Sequence, residues 1–170
     1  MVSFATLWRN HPLVTGEKPV LDRTVYPNQC AINLSAALIR SGVDMASFHG
    51  TWSWEKNKPK YPIRAQELAN WFAKGGARLG AKTEKFSGKE VFGREKGKSG
   101  MSGRSGIVFF QHFWGPGMQG NHIDLWNGSR LTDWKSWARI NIRIGNFGLH
   151  DLGAGSDYQR AQSVWFWALP

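Results

Sequence analysis

The sequence YPNQCAINLS at residues 26–35 changes from a proline-bearing extended stretch to a helical pattern. Its cysteine, Cys30, stands where the helix is predicted to begin and is the only cysteine in the 170 residues of the chain. A helix N-terminus offers unpaired N–H groups and about half a positive charge, which favour a thiolate. A single cysteine forms neither an intramolecular disulfide nor a multi-thiolate metal site. Cys30 is therefore either a nucleophile or a small inert hydrophobic residue.

A second segment, HIDLWNGSRLTDW at residues 122–134, is typical of two short strands joined by a turn. The dipeptide Asn127-Gly128 is a strong hairpin signal because both residues tolerate a positive φ. With a two-residue loop at these positions, Trp126 is predicted to face Ser129 and His122 to face Asp133.

A histidine beside a carboxylate is the second half of a nucleophilic triad, since the carboxylate fixes the imidazole tautomer and stabilises the imidazolium. In this interpretation His122 is the base and Asp133 orients it. Asp124, two residues along the same strand, is the alternative orienting residue. An exposed ribbon with a salt bridge would show the same pattern, so the hairpin alone does not establish a site.

The other histidines have structural interpretations. His112 ends a predicted strand and is the one competing base, but no carboxylate has a register that would orient it. His11, which precedes Pro12, is predicted to lie in a surface loop, and His49 and His150 border glycine-containing loops.

Helical patterns precede strand patterns along the chain, which predicts an α+β domain of N-terminal helices packed on an antiparallel sheet. We expect residues 1–170 to form one domain. The expected helices span 4–10, from residue 27 or 28 to a stop at Gly42, and 63–74, where Leu68, Trp71 and Phe72 belong to the core. The expected strands span 106–111, 122–126, 131–134, 139–144 and 163–169.

The net charge of +10 predicts an anionic partner: nucleic acid, anionic lipid or the carboxylate-rich bacterial wall. A basic nucleic-acid-binding module is therefore an alternative function, although the chain has no zinc-ligand cluster, RNP-like motif or basic helix. The most basic stretch, residues 82–104, has the composition of a loop. Among the ten tryptophans, Trp52 and Trp114 are candidates for contact with a substrate.

Residues 26–35, the sequence GNHIDLWNG at 120–128 and the following Asp133 together resemble family 4 of the type VI secretion amidase effectors. The order of motifs matches over nearly the whole chain. The resemblance implies a papain-like NlpC/P60 fold and a bacterial toxin that acts in the periplasm of a rival cell. It also implies hydrolysis of the amide between D-glutamate and meso-diaminopimelate in peptidoglycan stems.

Residue by residue, the resemblance places the nucleophile on Cys30, the base on His122 and the orienting carboxylate on Asp133. The backbone N–H of Cys30 is the expected first oxyanion donor because it lies at the helix start. Further candidates for oxyanion or substrate binding are Asn28, Gln29, Asp124, Trp52 and Trp114.

The expected partners are a peptidoglycan stem, a cognate immunity protein and the type VI secretion machinery, with no metal, cofactor, nucleic acid or membrane insertion. The N-terminus does not resemble a signal peptide, so we expect synthesis in the cytoplasm and export by the secretion machinery. A papain-like deamidase or acyltransferase is a further alternative.

Overall fold

Four helices precede four strands in the computed structural model, which describes residues 1–87, 90–91, 100–114, 120–132 and 163–170. The helices are α1 Phe4–Arg9, α2 Pro12–Thr15, α3 Cys30–Arg40 and α4 Ala65–Ala73. The strands are β1 Glu84–Phe86, β2 Ser105–Trp114, β3 Gly120–Asn127 and β4 Ser163–Ala168. They form one antiparallel sheet in the order β1-β4-β2-β3. This architecture confirms the predicted α+β class.

Helix α3 is the central helix of the described structure. Residues 31–38 are all buried, so protein surrounds the helix on every side. It begins at Cys30, two or three residues later than predicted, because residues 26–29 are not helical, and the Gln29 side chain there donates to the Tyr26 carbonyl. It ends, as predicted, just before Gly42, whose φ of 78° lies in the left-handed region.

The sheet buries both of its faces. Alternate residues of β2 and β3, including Ile107 and Ile123, pack with Leu34 of α3 and Leu68 of α4 in the main core. The other face carries a second cluster that includes Val108, Phe110, Trp126, Val164 and Phe166. The expected core residues of α4 are buried, with Leu68 fully so.

The strands predicted at 106–111, 122–126 and 163–169 are confirmed as β2, β3 and β4, with somewhat different ends. Two elements were not predicted: the short helix α2, and β1, which lies inside the basic stretch that was expected to be a loop. The strand predicted at 139–144 lies outside the described residues. Of the strand predicted at 131–134, Leu131 makes a single bridge, and residues 133 and 134 are not described.

The predicted register of the hairpin after β3 is wrong. Trp126 pairs with Leu131 and not with Ser129, and the Asn127 N–H donates to the Arg130 carbonyl at 3.1 Å. The turn therefore lies at residues 128 and 129, one residue later than predicted. The Asn127 side chain explains the shift, because its oxygen accepts the N–H groups of Ser129 and Arg130 and so keeps Asn127 in the strand.

Gly128 takes the positive φ, 93°, at the first turn position. With this turn, the arithmetic that placed His122 opposite Asp133 no longer holds, and Asp133 is predicted from the family resemblance alone. Within the part of the chain that is described, none of the helices has the length and apolar character to cross a membrane.

Candidate active site

Cys30 is the first residue of α3 and lies against β3. It is partly exposed, and its thiol takes part in hydrogen bonds with the His122 side chain and with the backbone N–H groups of Ile123 and Ala31. Among the described strands, β3 is an edge strand of the sheet. Its outer edge is therefore accessible to the start of α3. A cysteine that only filled space in the core would not need these polar contacts, so the arrangement favours the nucleophile interpretation.

His122 lies on β3, and its ring is held from two sides. Its cross-strand partner Phe110 stacks on the imidazole with ring centroids 6.4 Å apart. Its Nε2 atom is 3.7 Å from the Oδ2 atom of Asp124, which projects from the same face of the strand two residues later. His122 is therefore placed between a thiol and a carboxylate.

Asp124 is a buried carboxylate, with 3% of its surface exposed. Its Oδ1 atom accepts the Leu125 N–H at 2.7 Å and the Thr132 hydroxyl. The same oxygen lies 3.7 Å from Nε2 of His11. One oxygen of Asp124 thus faces His122, and the other faces His11.

The pKa values of the three groups are shifted in the directions that favour charge separation. Burial raises the pKa of the Cys30 thiol, but the hydrogen bond and positive charge of His122 outweigh it and leave the pKa below its ordinary value. Burial lowers the pKa of His122, whereas Asp124 and Cys30 raise it to a net value of about 10. For Asp124, burial is opposed by His122, His11 and Thr132, and its pKa is lowered.

The prediction for His11 is wrong. It was expected in a surface loop but is buried, with 1% of its surface exposed, and it is the N-cap residue of α2. Its Nδ1 atom accepts the Leu13 N–H at 3.3 Å. The sequence signal was Pro12 directly after it, since proline is favoured at the first position of a helix and marks the preceding residue as the cap.

The competing base, His112, lies at an irregularity of β2 between Phe110 and Trp114. Its φ is 53°, and its backbone N–H donates to Asn121 at 2.9 Å. The imidazole that contacts Cys30 is that of His122.

The remaining candidates occupy different environments. Asn28 is exposed, whereas Gln29 is buried and its Nε2 atom donates to the Tyr26 carbonyl at 2.6 Å. Trp52 is partly buried, and its ring contacts Phe48 edge to face. Trp114 is the last residue of β2. Asp133 lies outside the described residues.

A further aromatic residue, which contacts the segment before Cys30, was not singled out by the sequence. Trp54 is 60% exposed, and its ring lies 4.5 Å from that of Tyr26, centroid to centroid. Its backbone N–H donates to the Tyr26 hydroxyl at 2.9 Å. The segment that leads to Cys30 is thereby attached to a short hairpin bridged at Trp52 and Pro62.

Across the described ranges, no group of three or more His, Cys, Asp or Glu side chains is arranged to hold a metal ion. The chemistry available from these residues is that of a thiol, an imidazole and a carboxylate that lie side by side.

Comparison with solved structures shows the same fold in bacterial effectors. The chain is 19% identical to Tae4 in the type VI effector–immunity complex Tae4–Tai4 from Enterobacter cloacae, with a TM-score of 0.59 over 100% of this chain and 99% of that one. Against the effector–immunity system Tae4/Tai4 from Salmonella typhimurium, the identity is 16% and the TM-score 0.62, again over 100% and 99% of the two chains. For the type VI effector Tae4 from Enterobacter cloacae, the identity is 18% and the TM-score 0.59, over 100% of this chain and 98% of that one.

A comparison with curated protein sequences gives no match. The profile of the family described as type VI secretion system (T6SS), amidase effector protein 4, matches residues 26–167, a range that begins at the segment before Cys30 and includes α3, α4, β1 to β3 and all but the last residue of β4. This match covers most of the chain, and we conclude that the protein belongs to the Tae4 family of type VI secretion amidase effectors.

Proposed function

We propose that this effector is a cysteine amidase that hydrolyses the γ-D-glutamyl–meso-diaminopimelate amide of peptidoglycan stems. The observation that carries the proposal is the hydrogen-bonded contact between Cys30, at the start of α3, and His122 on β3. A cysteine at a helix start paired with a histidine on a strand is also the arrangement of papain-like NlpC/P60 hydrolases, the fold that the sequence predicted.

In the proposed reaction the Cys30 thiolate attacks the γ-carbonyl carbon of D-glutamate. The carbon–nitrogen bond then breaks, and His122 gives its proton to the amine of diaminopimelate as that amine leaves. The resulting thioester is attacked by water, from which His122 takes a proton. Release of the D-glutamate γ-carboxyl group restores the thiolate and the imidazolium.

Negative charge develops on the carbonyl oxygen during each attack, at the N-terminus of α3. The cap residue of this helix, Gln29, makes no side-chain bond to the first turn. The N–H of Cys30 is thus our proposed first oxyanion donor. The charge on the oxygen is also favoured by the positive end of the helix dipole.

Two carboxylates are proposed to act on His122. Asp124 lies 3.7 Å from Nε2 in the described structure and supplies negative charge beside this nitrogen. Asp133 keeps the orienting role that the sequence predicted. Asp133 follows directly after Thr132, and the Thr132 hydroxyl donates to Asp124. The residue before Asp133 therefore contacts the site.

Separate substitutions distinguish the two carboxylates. If Asp133 orients the ring, Asp133→Asn lowers kcat by about 10⁴-fold with little loss of stability, the effect of replacing the aspartate of a serine-protease triad. If Asp124 alone has this role, Asp133→Asn has nearly wild-type kcat.

We further propose that the effector is delivered to the periplasm of a rival cell and inhibited by a cognate immunity protein. The support is the family and two of its solved relatives, which are effector–immunity structures of Tae4 with Tai4. A net charge of +10 would speed association with an acidic inhibitor.

Digestion of isolated peptidoglycan tests the reaction. The wild-type protein is expected to produce muropeptides that end in D-glutamate together with fragments that begin with a free diaminopimelate amine, both identified by mass spectrometry. Cys30→Ser and His122→Gln should each lose about 10³-fold or more in rate while keeping the wild-type circular dichroism spectrum.

The products also separate the alternatives. A deamidase would release ammonia without cutting the stem, and an acyltransferase would join the D-glutamate carboxyl group to an added amine. Full activity of Cys30→Ser would reject cysteine catalysis altogether.

A further inference from the structure

The buried carboxylate of Asp124 faces a second imidazole that the proposed reaction does not use. His11 Nε2 lies 3.7 Å from Oδ1, and His122 Nε2 lies 3.7 Å from Oδ2. Both His11 and Asp124 are almost completely removed from solvent. The carboxylate therefore lies between two imidazoles, with one oxygen directed at each.

The helix cap fixes the tautomer of His11. Its Nδ1 atom accepts the N–H of Leu13 at 3.3 Å and so carries no proton itself. A neutral imidazole with an unprotonated Nδ1 has its proton on Nε2, the nitrogen that faces Asp124. A proton on Nδ1 would oppose the Leu13 N–H and remove the cap, so the cap fixes the ring with Nε2 toward Asp124.

A buried carboxylate stays ionised only where donors or positive charges compensate for its lost hydration. The titratable groups that face Asp124 include His11, from the segment before α2, and His122, on its own strand. Cys30, at the start of α3, is linked to it through His122. Thr132 and Leu125 add uncharged donors to Oδ1, the oxygen that faces His11.

We propose that His11 is a positioning residue, which keeps Asp124 ionised and directed at His122 and thereby supports the thiolate of Cys30. The proposal rests on the proposed roles of Cys30 and His122. It connects the N-terminal helices to the reactive pair, and it explains why a histidine caps a four-residue helix where serine, threonine, asparagine or aspartate is commoner.

Two substitutions separate the cap from the contact with Asp124. In His11→Asn, the short amide can still accept the Leu13 N–H as a cap but cannot reach the carboxylate. In His11→Gln, the longer amide reaches the position of Nε2 but leaves the cap unmade. Ser3→Ala is the control for stability alone, because Ser3 caps α1 by accepting the Thr6 N–H.

The measurement is the pH dependence of Cys30 alkylation by iodoacetamide, together with kcat and KM on purified muropeptides. For His11→Asn we expect the apparent thiol pKa to rise by about one unit and kcat to fall about tenfold, with KM unchanged. For His11→Gln we expect a smaller shift despite a lower melting temperature. Ser3→Ala should melt at a lower temperature and keep the wild-type alkylation profile.

A wild-type profile and kcat in His11→Asn would overturn the proposal, and so would an equal shift in Ser3→Ala. If His11→Asn does not fold, ¹⁵N NMR of the wild-type imidazoles decides. The proposal requires Nε2 of His11 to carry a proton at the pH of the activity assay, and an unprotonated Nε2 there would overturn it. Failure of the proposed function would appear differently, as an ordinary thiol pKa in the wild-type protein itself.

Discussion

The pKa of the Cys30 thiol depends on two opposing effects at a single residue. Burial raises its pKa, and His122 lowers it by a hydrogen bond and by positive charge. We predict that His122→Gln reverses the balance, because burial remains while the positive charge is lost. The thiol pKa should then exceed about 8.5, the value for an unperturbed cysteine, and alkylation at about pH 6 should slow by at least about tenfold.

The matched control is His49→Gln, which changes an exposed histidine. Its alkylation profile should follow that of the wild type from acid to alkaline pH. An unchanged profile in His122→Gln would contradict the pairing of this histidine with the thiol.

Asp124 links the site to folding stability. Its pKa is lowered in the folded protein, so its contribution is present above the unfolded value of about 4 and is lost as pH falls through the folded value. We predict that Asp124→Asn lowers the free energy of unfolding by about 1–3 kcal/mol at neutral pH. The groups that face Asp124 would then lose a negatively charged acceptor. The difference between the two proteins should shrink in acid.

Urea unfolding at a series of pH values measures this difference. Asp44→Asn is the control, since it changes an exposed carboxylate that accepts the Ala46 N–H. A deficit in Asp124→Asn that stays constant into strong acid would show that its charge does not contribute.

Single residues also show how far a site can be predicted from the sequence. Cys30 and His122 could be predicted because a helix start and a strand are visible as local patterns, and the structure brings the two residues together. The environment of His11 could not be predicted, since the carboxylate that His11 faces, Asp124, lies 113 positions later in the chain. Its role as a cap was visible in the following proline, whereas its burial depends on the packing of distant elements.

At the scale of secondary-structure elements, the segment before α3 is held by a hairpin from elsewhere in the chain. The Tyr26 hydroxyl accepts the N–H groups of Trp54 and Glu55 at 2.9 and 3.3 Å. We predict that Tyr26→Phe costs about 0.5–1.5 kcal/mol of stability by removing these bonds while the ring stays buried. It should also speed amide hydrogen exchange at Trp54 and Glu55.

Exchange measured by mass spectrometry on peptides that cover residues 50–62 tests this prediction. Tyr61→Phe is the control, since Tyr61 is held in the hairpin by its backbone bonds to Ser53. Equal exchange in Tyr26→Phe and the wild type would mean that the hydroxyl does not attach the hairpin.

Some secondary-structure elements could be predicted because their sequence patterns are local, and others could not. Helix α3 and strands β2, β3 and β4 have apolar patterns long enough to be predicted. Strand β1 has only three residues, Glu84 to Phe86, and two of them are charged, so its pairing with β4 has no local signal. The turn after β3 moved by one residue because a side chain, that of Asn127, binds backbone groups that follow it.

At the scale of the whole molecule, the net charge of +10 attracts the effector to an anionic polymer before any specific contact forms. We predict that the inactive variant Cys30→Ala binds intact peptidoglycan sacculi and that binding weakens as ionic strength rises. Between about 0.01 and 0.15 M salt the screening length falls from about 30 to 8 Å, which removes most attraction beyond direct contacts.

Co-sedimentation of the protein with sacculi over a range of salt concentrations measures this attraction. The matched control is chemical: sacculi whose carboxylates have been converted to amides present the same network without most of its negative charge. These sacculi should bind the protein weakly and with little dependence on salt. Equal binding to both preparations at low salt would show that the positive charge of the effector serves another partner, such as an acidic inhibitor.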